Sequence, residues 1–169
     1  MRRLLLAAFA GWAHVGPAAA QTGSRVGVHY VAPERFTDAT DRWGSSGRSL
    51  RTTLAEMTRI FQDLADRRLA PDESLDITVL DIDLAGNERP GFGSPTGVRV
   101  VQDFTPPRIK LAYVLRRGRR VVASGEDTVG DLNFMLTANP RFATGGLYYE
   151  RAVLRDWFAR RFPESAGRG

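Results

Sequence analysis

The stretch LDITVLDIDL at residues 75–84 decides the fold, because it has the pattern of a β-strand whose apolar face changes partway along. Apolar and polar residues alternate in it, which is the period of a strand. The alternation slips by one residue between Val79 and Leu80. Either a β-bulge lies at the slip, or the middle of the strand is covered on both faces. The sequence leaves both alternatives open.

A strand and a helix precede this stretch. Residues 25–31 alternate in the same way and end before Pro33. From Leu50 to Leu64 apolar residues recur at spacings of three and four, which places them on one face of an amphipathic helix. The order strand–helix–strand predicts two parallel strands joined by a right-handed crossover.

A hairpin is expected after residue 84. Residues 98–104 and 109–115 alternate like strands. Arg117-Gly118 is typical of a hairpin tip, from which the chain returns through a strand at residues 121–123. These hairpin-linked strands favour antiparallel pairing.

Two helices complete the pattern. Thr128, with Asp131 three residues later, resembles a capping box and predicts a short helix that runs to Leu136. A last helix is expected over residues 147–162. The whole order predicts an α+β fold, with a mixed, mostly antiparallel sheet and helices packed mainly on one face.

Composition narrows the class of protein. The chain has 169 residues, with 24 Lys and Arg against 19 Asp and Glu, and a formal charge of +5. This length favours one domain, which we place at residues 21–169 because the first 20 residues have the pattern of a signal peptide. The absence of cysteine excludes disulfides, thiol catalysis and cysteine-based metal sites.

The first 20 residues have the pattern of a secretory signal peptide. Arg2-Arg3 is a basic start, residues 4–13 are apolar, and small residues precede Gln21. An apolar run of ten residues is too short to span a bilayer, which needs about 20. We expect cleavage after Ala20, a periplasmic or secreted protein, and no transmembrane helix in the remainder.

Glu150 is the sharpest anomaly in the last helix. On a helical wheel it falls inside the apolar arc that contains Tyr149, Val153 and Trp157. A carboxylate that faces a packed surface costs several kcal/mol unless it is paired or protonated. Three alternatives follow: an inward ion pair with an arginine such as Arg108 or Arg35, a ligand-facing acid at a pocket edge, or a frayed helix that exposes it.

Asp81 and Asp83 form a second group of acids. With Gly86 they resemble the start of an EF-hand loop, but the bidentate carboxylate that ends such a loop is missing, so calcium is not expected. The two acids lie on one strand face, about 7 Å apart, so an acid/base pair is possible. A structural role at a strand end, bound to arginine or turn amides, is the simpler alternative.

Other catalytic patterns are absent from the sequence. His29 is the only histidine after the leader, and it alternates with valines on a strand, where a structural role is favoured. There is no nucleophile elbow and no glycine-rich phosphate loop. We expect neither a metal nor a cofactor.

The hairpin tip is strongly basic. Arg116, Arg117, Arg119 and Arg120 surround Gly118. They form a candidate anion-binding tip for lipid phosphates, or a solvated end whose charges discourage edge pairing. Aromatic residues are not interleaved with them, which argues against nucleic acid as a partner.

Several short blocks resemble the bacterial family catalogued as domain of unknown function 3016. The similarity covers roughly residues 25–162, and Phe134 stands where that family often has Tyr. The resemblance implies an exported bacterial protein and no particular activity. The matching blocks are Pro33–Asp38, Asp81–Gly86, Pro107–Leu111, Asp131–Phe134, Tyr149–Arg151 and Asp156–Phe158.

Three functions are compatible with these patterns. The first is a non-catalytic periplasmic module that binds a ligand or an envelope protein. The second is a carboxylate-dependent hydrolase or lyase. The third is a binder of an anionic envelope component, such as a lipid headgroup, through the basic tip. The acids that would serve the hydrolase or lyase belong to a candidate polar site that consists of Asp81, Asp83, Arg108, Asp131 and Glu150.

Overall fold

The computed structural model describes residues 25–40, 47–88, 99–138 and 147–163. These residues form strands and helices in an order close to the predicted one. The elements are β1 (Val26–Tyr30), α1 (Gly47–Asp66), β2 (Glu73–Asp83), β3 (Asn87–Glu88), β4 (Arg99–Val100), β5 (Arg108–Arg117), β6 (Arg120–Gly130), α2 (Phe134–Thr137) and α3 (Tyr148–Arg161).

The main sheet has four strands in the order β1-β2-β5-β6. β1 and β2, which flank α1 in the chain, run parallel, as the strand–helix–strand order predicts. β5 pairs antiparallel with both β2 and β6. The predicted fold class, α+β with a mixed and mostly antiparallel sheet, is confirmed.

The slip in the apolar pattern of β2 is a β-bulge. The register with β5 shifts between Val79 and Asp81, which makes Leu80 the extra residue. Because a bulge inserts one unpaired residue, the apolar residues on either side of it keep the same face. Val79 and Ile82 are accordingly both completely buried. Of the two alternatives that the sequence left open, the bulge is correct.

α1 and α3 cover one face of the main sheet, as predicted. Phe61 of α1 and Phe158 of α3 pack against each other, with ring centroids 6.4 Å apart. α2 packs on α3 through Phe134 and Tyr149. Burial of this apolar layer is the main driving force for the fold. The residues beneath the helices are Leu75, Ile77, Val79 and Ile82 of β2 with Ile109, Leu111, Tyr113 and Leu115 of β5.

The opposite face of the sheet carries polar and charged side chains. Arg116 forms an ion pair with Asp76, and Lys110 Nζ lies 2.9 Å from Glu126 Oε1. His29 is exposed on β1. Exposed ion pairs of this kind contribute about 0–1 kcal/mol each, so the stability of the sheet comes mainly from its covered face.

The predicted strand over residues 98–104 is largely wrong. Only Arg99–Val100 is extended and paired, and it pairs with β3 in a separate two-stranded sheet. The chain then turns, because Thr105 donates its backbone N–H and its hydroxyl to the Gln102 carbonyl. Val98 lies outside the described residues.

The predicted capping box at Thr128 and Asp131 is also wrong. Thr128 is still in β6, where it pairs with Lys110, and the strand continues to Gly130. α2 begins only at Phe134, after Asn133. The sequence pattern stops the strand too early, because the second half of β6 is polar and contains glycine.

The hairpin tip is as predicted. Arg117 pairs with Arg120, and Gly118 between them has a φ of +56°. That left-handed conformation is the one that glycine adopts without steric cost. The β5–β6 hairpin therefore depends on Gly118.

Asp127 attaches α3 to the edge of the sheet. It lies on the covered face of β6 and accepts hydrogen bonds from Trp157 Nε1 at 2.9 Å and from Arg161 at 2.7 and 2.8 Å. Arg161 also lies over the ring of Tyr113, 5.4 Å from its centroid. Burial acts to raise the pKa of Asp127, but the hydrogen bonds from Trp157 and Arg161 hold that pKa below its ordinary value.

Replacing the Asp127 carboxylate is expected to loosen α3. We expect Asp127→Asn to lower the free energy of unfolding by about 1 kcal/mol at neutral pH, because one charged hydrogen-bond acceptor is lost. Urea denaturation measures this difference. Glu126→Gln, in the exposed pair with Lys110, is the control and should change stability by less than about 0.5 kcal/mol.

The pH dependence gives the same prediction an independent check. Because the folded pKa of Asp127 is depressed, its contribution is present above the ordinary pKa of 3.8 and is lost as the pH falls through the folded value. The stability difference between the wild type and Asp127→Asn should therefore shrink in acid. A difference that stays constant across this range would contradict the assigned role of Asp127.

Candidate functional site

The predicted acids Asp81 and Asp83 lie at the carboxyl end of β2, on the face of the sheet that the helices leave open. Asp81 is opposite Lys110 and Asp83 is opposite Arg108 on β5. The bulge at Leu80 places both acids on this side of β2. The structure thus brings Asp81, Asp83 and Arg108 together, as one part of the candidate polar site.

The Asp81 carboxylate is fully engaged by hydrogen bonds from Thr37 and Ile82. Its carboxylate accepts the Thr37 backbone N–H and the Thr37 hydroxyl, each at 2.7 Å, and the Ile82 N–H at 2.9 Å. Asp38, the next residue, continues this attachment by backbone hydrogen bonds to Ile82 and Leu84. Asp81 therefore fastens the segment after β1 along β2.

Asp83 is the less constrained of the two acids. Its side chain is partly buried, and no hydrogen bond from the described residues reaches it. Burial, followed by the nearby charge of Asp38, raises the pKa of Asp83, whereas Arg108 opposes this rise. Asp83 is thus a carboxyl with access to the open face and with Arg108 beside it.

Arg99 is a member of this site that the sequence did not indicate. Its guanidinium contacts Asp38 Oδ2 at 2.6 Å and the carbonyl of Gly86 at 2.8 Å, and its Nε lies 3.2 Å from the Ala85 carbonyl. It thereby closes the turn that follows β2. Asp38 is 61 residues away from Arg99 in the chain, and no local pattern connects two such distant residues.

Glu150 points inward, as its position on the helical wheel predicts. Its exposed fraction is 3%, which eliminates the alternative of a frayed helix. The predicted arginine partner is wrong, because Glu150 Oε1 accepts the backbone N–H of Ala85 at 2.8 Å. Arg108 lies on the other face of the sheet and Arg35 is exposed in the turn Pro33–Arg35. The Ala85 amide, just past the end of β2, is the available donor.

Glu150 therefore lies beneath the turn that Arg99 closes. Burial raises the pKa of Glu150, while the hydrogen bond from Ala85 and the nearby charge of Arg99 oppose the rise. Ala85 connects the two halves of this arrangement, since its N–H binds Glu150 and its carbonyl binds Arg99. The contact joins α3 to the end of the central strand.

Asp131 follows Gly130, which pairs with Arg108 at the end of the sheet, but its carboxylate is bound to the segment that leads into α2. It accepts the Asn133 N–H at 2.8 Å and the Thr137 hydroxyl at 2.6 Å. The hydrogen bond from Thr137, and then that from Asn133, lower the pKa of Asp131. Asp131 thus holds the start of α2.

The basic tip lies at the opposite end of the sheet from Asp83. Across ten residues of β2, at about 3.3 Å each, the separation is roughly 30 Å. Arg116 is paired with Asp76, and Arg117 NH2 lies 2.7 Å from Glu73 Oε1. Arg119 and Arg120 are exposed and contact no acid among the described residues.

A second bulge beside the tip exposes two valines. Arg116 pairs with Val121 and Leu115 pairs with Ala123, so Val122 is the extra residue. The exposed fractions of Val121 and Val122 are 49% and 42%. Two unpaired arginines and two exposed valines therefore follow one another from residue 119 to residue 122, and this stretch is called the tip segment below.

Two further structural observations bear on the chemistry. In the ranges that the structure describes, no group of three His, Asp or Glu side chains is arranged to hold a metal ion. No helix there is long and apolar enough to cross a membrane.

Removal of the Glu150 carboxylate should destabilise the protein. Glu150→Leu leaves the buried Ala85 N–H without an acceptor, which costs about 1–3 kcal/mol in the free energy of unfolding. Glu150→Gln keeps a carbonyl oxygen for Ala85 and should cost less. Arg155→Ser, on the exposed side of α3, is the control. Equal urea midpoints for Glu150→Leu and Arg155→Ser would contradict the structural role of Glu150.

The raised pKa of Glu150 has a defined effect on the pH dependence of stability. The folded protein binds the proton more tightly than the unfolded chain, whose carboxyl has the ordinary pKa of 4.5. Stability due to this group therefore rises as the pH falls from the folded pKa towards 4.5. Glu150→Gln should remove this contribution, as shown by subtracting its unfolding curves from those of the wild type.

Comparison with known proteins gives one match. No curated protein and no solved structure matches the chain. The family model described as "Protein of unknown function (DUF3016)" matches residues 24–160, which agrees with the resemblance seen in the sequence. Because this match spans most of the chain, the protein belongs to the DUF3016 family.

Proposed function

We propose that the protein is an exported, non-catalytic binding module of the cell envelope that contacts anionic lipid headgroups through its tip segment. The observation that carries this proposal is the run Arg119-Arg120-Val121-Val122, in which two cations that contact no acid among the described residues lie beside two exposed apolar side chains. The proposal combines the first and the third of the functions considered from the sequence.

The state of the acids supports binding over catalysis. Asp81, Asp131 and Glu150 each accept at least one backbone N–H, and each holds a particular turn or helix. Acid/base catalysis by carboxylates needs two of them in different environments close to one substrate. Asp83 is the one candidate acid left without such a bond in the described residues, and a single carboxyl does not make that pair.

The tip segment has the chemistry of a weak membrane contact. A basic residue near an anionic bilayer contributes about 1 kcal/mol, and exposed apolar side chains add to this by entering the headgroup region. Arg119 and Arg120 together are therefore worth about 2 kcal/mol. Such a contact is reversible and depends on salt. This strength of binding suits a module that associates reversibly with a membrane surface, rather than one anchored in the membrane.

The leader pattern supports the compartment. Residues 1–20 combine a basic start, an apolar run and a small-residue end. An exported protein of this kind meets the lipid surfaces of the envelope directly. The absence of cysteine is compatible with an oxidising compartment.

Vesicle co-sedimentation tests the lipid contact. The purified protein should sediment with phosphatidylcholine vesicles that contain phosphatidylglycerol, and should be released at high salt, because the attraction is electrostatic. The double variant Arg119→Ser/Arg120→Ser should lower the affinity by about thirtyfold. The matched control is Arg35→Ser/Arg67→Ser, which removes the same charge elsewhere. Equal binding of the two double variants would overturn the proposal.

The export step has a separate test. The full chain, produced with its own N-terminus, should appear in the periplasmic or secreted fraction with Gln21 as its first residue, by N-terminal sequencing and intact mass. Leu6→Lys interrupts the apolar run and should leave the unprocessed chain inside the cell. A wild-type protein that keeps its first 20 residues would contradict export.

A further inference from the structure

A groove lies between the outer side of α1 and the beginning of α3. Its volume is about 470 Å³. That is within the range of about 300–1,000 Å³ that is usual for small-molecule sites. It shares no residue with the candidate polar site or the tip segment. Its lining residues are Arg51, Thr52, Ala55, Glu56, Arg59, Asp63 and Arg151.

The spacing of residues on α1 forms this groove. Arg51, Ala55 and Arg59 follow one another at intervals of four, so they lie along one ridge of the helix. The two arginines are separated by about 12 Å of helix axis, at 1.5 Å per residue. Ala55 between them has the smallest side chain that a chiral residue can offer. The long side chains of Arg51 and Arg59 thus lie on either side of the short Ala55 side chain along the helix.

The acids and the arginines of the groove differ in whether they have partners. The acids have partners: Glu56 Oε1 accepts the Leu147 N–H at 3.4 Å, and Asp63 lies 3.5 Å from Arg151. Arg51 and Arg59, by contrast, form neither a hydrogen bond nor an ion pair with any residue that the structure describes. Among the described residues, three arginines and two acids line the groove, so its lining carries a net positive charge.

We propose that this groove binds a small molecule that carries a phosphate or diphosphate group, held between Arg51 and Arg59. Guanidinium groups bind phosphate oxygens through paired N–H donors, which makes arginine suited to such groups. Thr52 lines the same groove. Arg151 adds a cation that is shared with Asp63 at long range.

Asp63 allows a test in which phosphate binding should become tighter. Its carboxylate holds Arg151 and repels an anion in the groove. Asp63→Asn should therefore strengthen phosphate binding severalfold. Asp66→Asn is the matched control, because Asp66 lies one turn further along and pairs with Arg25 at 3.6 Å, outside the groove.

Isothermal titration calorimetry with inorganic pyrophosphate tests the site on the full protein. We expect saturable binding, weakened by about tenfold or more in Arg51→Gln/Arg59→Gln, since two charged hydrogen-bonding groups are lost. Arg35→Gln/Arg67→Gln removes the same charge outside the groove and should bind within about twofold of the wild type. Thermal melting of each variant shows that it is folded.

Three outcomes would overturn the proposal. The first is the absence of saturable binding by the wild type. The second is equal weakening in the two double variants, which would show a general effect of net charge. The third is the failure of Asp63→Asn to bind more tightly than Asp66→Asn. The vesicle experiment changes Arg119 and Arg120, which lie outside the groove. The proposals for the groove and for the tip segment are therefore tested independently.

Discussion

The bulge at Leu80 is the constraint on which the rest of the molecule depends. Successive side chains of a strand point to opposite faces, so one inserted residue exchanges the faces of everything after it. With the bulge, Ile82 enters the core under the helices, and Asp81 and Asp83 face outward. Without it, both acids would lie against the apolar layer, where an unpaired carboxylate costs several kcal/mol. The Arg99–Asp38 turn and the Glu150–Ala85 contact both follow from this one insertion.

The elements with strong local patterns could be predicted from the sequence. The parallel pair β1–β2, the amphipathic α1 and the inward position of Glu150 follow from periodicity, whereas the slip in β2 left a bulge and a doubly covered strand as alternatives until the register decided between them. The length of β6 does not follow from the sequence, because its apolar residues cluster at its start and Val129 is the one large apolar residue in its later half. An edge strand buries few apolar side chains, so the alternation of apolar and polar residues along it is weak.

The contacts within the candidate site could not be predicted in the same way. Glu150 and Ala85 are 65 residues apart, and Arg99 and Asp38 are 61 residues apart. Such contacts follow from the three-dimensional arrangement and leave no local spacing in the chain. A helical wheel shows that an acid is turned inward, but a backbone amide as its partner has no signature in side-chain type. The same limit explains why the structure, not the sequence, separates the paired arginines Arg116 and Arg117 from the unpaired ones at the tip.

The position of β6 has a consequence for the behaviour of the protein at high concentration. In the described residues β5 is the one strand that pairs with it, so the outer edge of its eleven residues pairs with no other strand. A long open edge of this kind templates the addition of a foreign strand and leads to aggregation. Gly125, Glu126 and Gly130 act against this, since glycine disfavours extended pairing and like charges repel an identical strand in register. The weak apolar character of β6, which obscures it in the sequence, thus acts against the joining of sheets from separate molecules.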